Sequence, residues 1–163
     1  MTRARSEYRL SPVRVAVSSA PLPTVHPDEQ QRDRLAALML DAYRNTIDDE
    51  GESLDDALNA VDYYLASILR LHSYVVLDGT DVVGFAFVGF AFVVVVNGVH
   101  YIDPVVVASA RKRLGVGEAL VRRCLNSLAD EGISEVGATI TDGNVASERL
   151  FIKLGFNRHG SWT

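Results

Sequence analysis

Apolar residues recur along this chain with two different periods. Leu35, Leu38, Met39, Ala42 and Tyr43 return every three or four positions, which places them on one face of a helix. Asp28 and Glu29 suit the positive end of that helix, so it is predicted from about Asp28. An acidic stretch, residues 48–52 with Gly51, ends it. Ser53 is a plausible N-cap for a second helix, with Asp56 in the capping-box position. Leu54, Ala57, Leu58, Val61, Leu65, Ile68 and Leu69 form its apolar face.

Strand signals surround this helix pair. Val13, Val15 and Val17 alternate with Arg14 and Ala16 and predict a short first strand. Residues 1–12 before it read as a flexible tail, and residues 13–163 as the domain. Pro21, Pro23 and Pro27 make a stiff connector. Three strands follow the helices, at residues 74–77, 82–96 and 99–108. Asn97-Gly98 between the last two is a strong hairpin signal. A third helix follows Gly115 with Leu120, Val121, Cys124, Leu125 and Leu128 inward, and Gly132 stops it. Residues 133–141 form a strand, Asn144 caps a short helix ended by Gly155, and Phe156 begins a last strand. The order is β-αα-βββ-α-β-α-β with no dividing linker. It predicts a single α/β domain, a mixed central sheet flanked by about four helices.

Residues 82–96 are the one membrane-like stretch. They number 15 and include two glycines, whereas a spanning helix needs about 20 apolar residues, so buried strand is the better reading and no membrane partner is expected. Gly84-Phe85-Ala86-Phe87-Val88 is repeated directly at residues 89–93, a duplication that leaves strand register ambiguous. At 163 residues, 48% apolar and 23% charged, the chain has the balance of an ordinary globular domain. A net charge of −5 gives no general reason to expect nucleic acid. The single cysteine, Cys124, rules out an internal disulfide and falls on an apolar helix stripe. It fits a reducing cytoplasm, the expected location. Arg3, Arg5 and Arg9 are followed by no apolar run, so the start does not read as a secretory signal.

The sharpest local feature begins at Val105, Val106 and Val107 and runs through the basic segment Arg111, Lys112 and Arg113. It ends in Leu114, Gly115, Val116 and Gly117, where the third helix opens. Two glycines let an anion approach the backbone, and unpaired N–H groups of a first helical turn point at it. A pyrophosphate suits this geometry, and so does a plain strand-to-helix turn with a solvated basic loop. No Gly-Lys-Ser/Thr follows, so it is not a Walker loop. Leu120 stands where a dinucleotide fingerprint needs its third glycine. Downstream, Asn144, Ser147, Phe151, Lys153, Leu154, Gly155 and Phe156 read as a capped helix with a glycine stop.

The first feature resembles the acetyl-CoA motif of the GNAT superfamily, Q/R-x-x-G-x-G/A. The second resembles that superfamily's N-x-x-A/S-x-x-x-Y/F-x-K-L-G-F helix, and the two stand in the right order. The resemblance implies a GNAT-like N-acetyltransferase that binds acetyl-CoA and no metal and acylates a primary amine, on a small molecule or a peptide. It also implies that Val105, Val106 and Val107 splay from the strand at 133–141 and that the pantetheine arm lies in the gap. The pyrophosphate would sit on the amides of Arg113, Leu114, Gly115, Val116 and Gly117, and Asn144, Ser147 and Phe151 would line the cofactor side. A backbone N–H near Val107 would hold the oxyanion. Lys112 stands where the family has Gln or Arg, and Phe151 where many members have a Tyr that protonates the leaving thiolate.

Family members often carry the base on the strand before the glycine turn. Asp103 and Tyr101 share side-chain parity with Val105 and Val107 unless Pro104 or a bulge resets the register, and His100 has the opposite parity. Asp103 is the favoured base and Tyr101 the second candidate. Tyr74, Tyr101, Ser147 or water remain for the acid. The carboxylates Asp48, Asp49, Glu50, Glu52, Asp55 and Asp56 read as a solvated loop, with attraction of a cationic amine as the sharper alternative. An acyl-CoA sensor without turnover is the rival reading, and Phe151 is its best argument. The last strand begins close to Thr163, which leaves open an edge completed by a second subunit, a homodimer.

Overall fold

Successive residues of a strand point to opposite faces of a sheet, and here each face receives its own pair of helices. The computed structural model describes residues 3–11, 22–90 and 98–162. Its elements are β1 (Arg5–Leu10), β2 (Thr24–Val25), α1 (Arg32–Tyr43), α2 (Leu54–Ser67), β3 (Tyr74–Asp78) and β4 (Asp81–Phe90). There follow β5 (His100–Val107), α3 (Val116–Asp130), β6 (Val136–Thr141), α4 (Val145–Lys153) and β7 (Asn157–Trp162). The seven strands form one sheet in the order β2-β3-β4-β5-β6-β1-β7. The β5–β6 pair is parallel and the other pairs are antiparallel. This is the single mixed α/β domain that the pattern predicts.

On one face Leu35, Met39, Val61 and Leu65 of α1 and α2 pack on Val75, Phe85 and Val106. On the other, Leu120, Cys124, Leu128 and Phe151 of α3 and α4 pack on Val76, Ala86, Ile102 and Ile140. Adjacent pairs such as Val75/Val76 and Phe85/Ala86 therefore divide between the two cores. Both capping expectations hold. Ser53 Oγ accepts from the Asp56 N–H at 3.1 Å while Asp56 accepts from the Ser53 N–H at 2.9 Å. Asn144 Oδ1 accepts from the Ser147 N–H at 3.2 Å. Cys124 is fully buried, as its place on the apolar stripe of α3 implies.

The N-terminus departs from expectation. Residues 5–10, read from sequence as part of a loose tail, form β1 and pair antiparallel with β6 on one side and β7 on the other. Arg5, Glu7 and Arg9 alternate with Ser6, Tyr8 and Leu10, a period of two obscured by its charges. The charged residues serve one face, and Tyr8 enters the α3 core. The last strand, β7, pairs with β1 on one side and forms an edge of the sheet on the other. The strand predicted around Val13, Val15 and Val17 and the turn at Asn97 lie outside the described residues.

β1 also fixes a tight contact. Tyr101 of β5 donates from its hydroxyl to Glu7, and its ring meets Trp162 edge-on at 5.3 Å. Gly137 of β6 lies directly under that ring, where an added Cβ would come within 2.5 Å of a ring carbon. Gly137→Ala should therefore destabilise the fold by about 1–3 kcal/mol, read as a lower urea midpoint at unchanged slope. An unchanged midpoint would show that Tyr101 has room to move.

Candidate active site

β5 and β6 pair only at His100↔Val136 and Tyr101↔Gly137. Beyond that point β5 stays with β4 as far as Val107, and β6 stays with β1 as far as Thr141. The two parallel strands therefore part, and a cavity of about 330 Å³ opens between them. Asp103, Pro104 and Val105 form one wall and Thr139, Ile140 and Thr141 the other. Backbone groups facing this gap have no ladder partner among the described residues.

A bulge decides which side chains enter. Ala86 pairs with Val105 and Val88 with Ile102, so Asp103 and Pro104 together oppose one residue of β4. Such an extra residue reverses side-chain parity beyond it. Val105 consequently packs with the α3 core and Val107 lies near Gly117, whereas Val106 joins the α1–α2 core. Asp103 lies on the α1–α2 side. The shared parity of Asp103 and Tyr101 with Val105 and Val107 is thus lost at the bulge. The cleft passes through the sheet, with Asp103 toward one face and Val105 and Phe151 toward the other.

Tyr101, the second candidate base, lies outside the cleft lining and is 7% exposed. Burial, with Glu7 beside it, raises its hydroxyl to about 12. His100 is likewise absent from the cleft lining.

Asp103 faces groups that the sequence did not connect with it. Arg5 Nη2 lies 3.6 Å from Asp103 Oδ1 and donates to the Thr139 carbonyl at 2.8 Å. Thr139 Oγ1 donates to Asp103 Oδ2 at 3.4 Å. Burial raises the Asp103 carboxyl above its ordinary value of 3.8, and the opposing pull of Arg5 and Thr139 does not cancel it. Tyr43 of α1 and Tyr64 of α2 line the same end. Burial, with Asp103 nearby, raises Tyr64 to about 12; burial first, then Tyr64, Asp103 and Asp48, raise Tyr43 well above its usual range. Both hydroxyls stay protonated at neutral pH. Arg5 was hidden by the tail reading and Tyr43 by the helical stripe that claimed it for the core, while Tyr64 stands off the apolar face predicted for α2.

The turn into α3, which follows β5 and lies outside the cleft lining, is anchored to α1. Ser109 donates from its N–H and its hydroxyl to Asp41, each at 2.8 Å. Lys112 Nζ donates to the Ala42 carbonyl at 2.8 Å, at the negative end of α1. Arg111 Nη2 pairs with Asp78 at 2.5 Å. Two of the three basic side chains read from sequence as a solvated loop therefore hold it in place. Arg113 and Gly115 both take left-handed backbone, with φ of 68° and 82°. Among the described residues, the N–H groups of residues 113–118 donate to no protein acceptor, and residues 113–115 are exposed. The mouth of α3 is thus open to an anion.

α4 supplies the remaining wall. Asn144, Ser147 and Phe151 line the cleft, Phe151 being buried and edge-on to Phe156 at 4.9 Å. Asn144 Nδ2 also donates to Asp48 Oδ2 at 3.2 Å. Asp48, Glu50, Glu52 and Asp56 reach the cleft as well, so the acidic stretch borders the site and is more than a solvated loop. Among the described residues, no group of His, Cys, Asp or Glu has the makings of a metal site.

A split pair of parallel strands followed by a helix with an open mouth is the arrangement that the sequence resemblance implies, and comparison with known proteins agrees. The model of the Acetyltransferase (GNAT) family matches residues 32–156. The chain belongs to the GNAT family and is an acetyltransferase. Among solved structures, ribosomal-protein-alanine N-acetyltransferase from Brucella melitensis is similar, at 26% identity and a TM-score of 0.70, over 85% of this chain and 86% of that one. Aminoglycoside 6'-N-acetyltransferase AAC(6')-IG from Acinetobacter haemolyticus shares the fold at 16% identity and a TM-score of 0.66, over 87% and 94%. A GNAT-family acetyltransferase from Novosphingobium aromaticivorans DSM 12444 aligns with 98% of this chain at 14% identity and a TM-score of 0.70, but the chain spans only 61% of its length. No curated protein matches the chain.

Proposed function

We propose that the chain transfers the acetyl group of acetyl-CoA to a primary amine by direct attack on the thioester. The observation that carries this is the gap between β5 and β6 with Asp103 on its wall, on a chain whose next helix, α3, opens with free N–H groups. The residues fit the cosubstrate in three places. Free amides of residues 113–118 suit a diphosphate. Unpaired backbone of β5 and β6 suits the amides of a pantetheine arm lying as an added strand. Asn144, Ser147 and Phe151 complete the cofactor side. Bound acetyl-CoA supplies an activated carbonyl with a thiol leaving group.

The residues of the chain then manage protons and position. A free alkylamine has a pKa of about 10.4, so about one molecule in a thousand is uncharged near neutral pH. Asp103, directly or through water, takes the proton that the nitrogen loses. Its raised pKa makes it a better acceptor than an exposed aspartate. The nitrogen forms a bond to the carbonyl carbon, the C–S bond breaks, and the sulfur leaves with its electron pair. Backbone N–H groups at the β5 edge of the gap stabilise the oxyanion. A thiol pKa of about 8.5 makes the thiolate a tolerable leaving group without an acid from Phe151.

Phe151→Tyr is expected to leave acetyl-CoA affinity unchanged and to keep or raise turnover, measured as CoA release with an amine panel. Lost affinity would place Phe151 in a packing role that excludes a hydroxyl. CoA release on no amine, despite tight acetyl-CoA binding, would overturn the transfer reading.

A further inference from the structure

The end of the cleft that holds Asp103 carries an unbalanced charge. Five carboxylates line the cavity, those of Asp48, Glu50, Glu52, Asp56 and Asp103, against the single guanidinium of Arg5. Arg5 is turned to Asp103 and the Thr139 carbonyl. Among the described residues, no Lys or Arg forms an ion pair with Asp48, Glu50, Glu52 or Asp56. Their contacts are with neutral donors. Thr141 Oγ1 and Asn144 Nδ2 donate to Asp48 at 2.7 and 3.2 Å. The Ser53 N–H donates to Asp56, and the Glu50 N–H to Glu52 at 3.3 Å. Arg3 reaches the same loop but donates to the Asp49 carbonyl.

A second observation concerns Tyr43. Its hydroxyl has no protein hydrogen-bond partner among the described residues, and the half-buried side chain lines the Asp103 end of the cavity. An ammonium in the cavity would supply a donor to that hydroxyl oxygen. Tyr43 and Tyr64 also bring two aromatic rings to the same place, and ring faces attract cations. The cavity marks where the acceptor enters, and the charge and the lone hydroxyl indicate its chemistry.

We propose that the acceptor is a small polycationic amine. One amine reaches Asp103 and the Tyr43 hydroxyl and is acetylated, and at least one further ammonium rests against Glu50 and Glu52. This rests on the acetyl-transfer reading. The reacting ammonium loses one proton to Asp103 and thence to water. The resulting amine loses its second proton as the amide forms, and CoA leaves as thiol. The product carries one positive charge fewer, so it binds the acidic wall more weakly than the substrate, which favours release. The cavity volume suits a ligand of small-molecule size. A peptide N-terminus with a single charge would leave most of the wall unanswered.

The test uses the full chain with acetyl-CoA and three probes: spermidine, n-butylamine and a C-terminally amidated alanyl tetrapeptide, which carries one positive charge. CoA release is expected to give spermidine a kcat/KM at least 30-fold above either singly charged probe, falling steeply as salt rises. In Glu50→Gln/Glu52→Gln the ratio of kcat/KM for spermidine over n-butylamine should drop about tenfold. The loss should sit in KM, with acetyl-CoA Kd moving less than twofold. Both substitutions keep an acceptor oxygen and lie on an exposed or half-exposed loop, so an intact melting transition is expected. Equal kcat/KM for all three probes, or preference for the peptide, would overturn the polycation while leaving acetyl transfer standing. Failure to bind acetyl-CoA at all would overturn both.

Discussion

Asp103→Asn is expected to lower kcat for acetyl transfer by about 100- to 1000-fold and, at pH 7, to raise the melting temperature. The two effects share a cause. Asp103 is held at the cleft wall with burial raising its pKa above 3.8, against the pull of Arg5 and Thr139. The native state therefore keeps a proton that the unfolded chain releases. Stability falls as pH rises from 3.8 through the raised native value, and the cost persists above it. Asn removes that cost and keeps an acceptor oxygen near Thr139 Oγ1, but it accepts no proton from the amine. The difference in melting temperature between variant and wild type should vanish below pH 3.8 and grow toward neutrality. The wild-type rate should rise with pH as Asp103 ionises, an acid limb missing from the variant. A variant with wild-type turnover would remove Asp103 from the chemistry. A variant melting lower at pH 7 would show that the Arg5 pair outweighs burial.

The second large effect belongs to Gly117. A Cβ there would lie 3.5 Å from Val107 and 3.6 Å from Leu150, ordinary contact distances, and the backbone is not left-handed. Gly117→Ala should therefore fold normally and keep most of its acetyl-CoA affinity. An indole has no space between Val107 and Leu150, so the side chain of Gly117→Trp must turn out over the first turn of α3. It would cover the N–H groups assigned to the diphosphate. Acetyl-CoA should bind at least 100-fold more weakly, with far-ultraviolet circular dichroism unchanged. Gly115 is a poorer probe, because its φ of 82° strains any other residue and mixes folding with binding.

Much of this was legible in the chain. The stripes of the four helices, the Ser53 and Asn144 caps and the stops at Gly132 and Gly155 are local signals, and local signals survive folding. The two motif helices lie where their residues imply, and Val105, Asn144, Ser147 and Phe151 do line one cleft. What failed were statements needing a partner far away in sequence. Residues 5–10 looked like a tail because Arg5, Glu7 and Arg9 mask a strand period whose pairing partners lie more than 120 residues on. The faces of Asp103 and Val105 depend on a bulge opposite β4 that alternation alone does not reveal. Lys112 and Arg111 looked free for phosphate until Ala42 and Asp78 came beside them. The acidic stretch looked solvated because a cleft wall and a loop have the same composition.

The central claim is that open N–H groups at the mouth of α3 hold the diphosphate of acetyl-CoA. A calorimetric titration of the full chain with acetyl-CoA, run beside Gly117→Trp, measures this most directly. The expected result is one site per chain with micromolar Kd in the wild type and no measurable heat of binding in the variant. Equal affinity in the two proteins, or no binding in either, would contradict it.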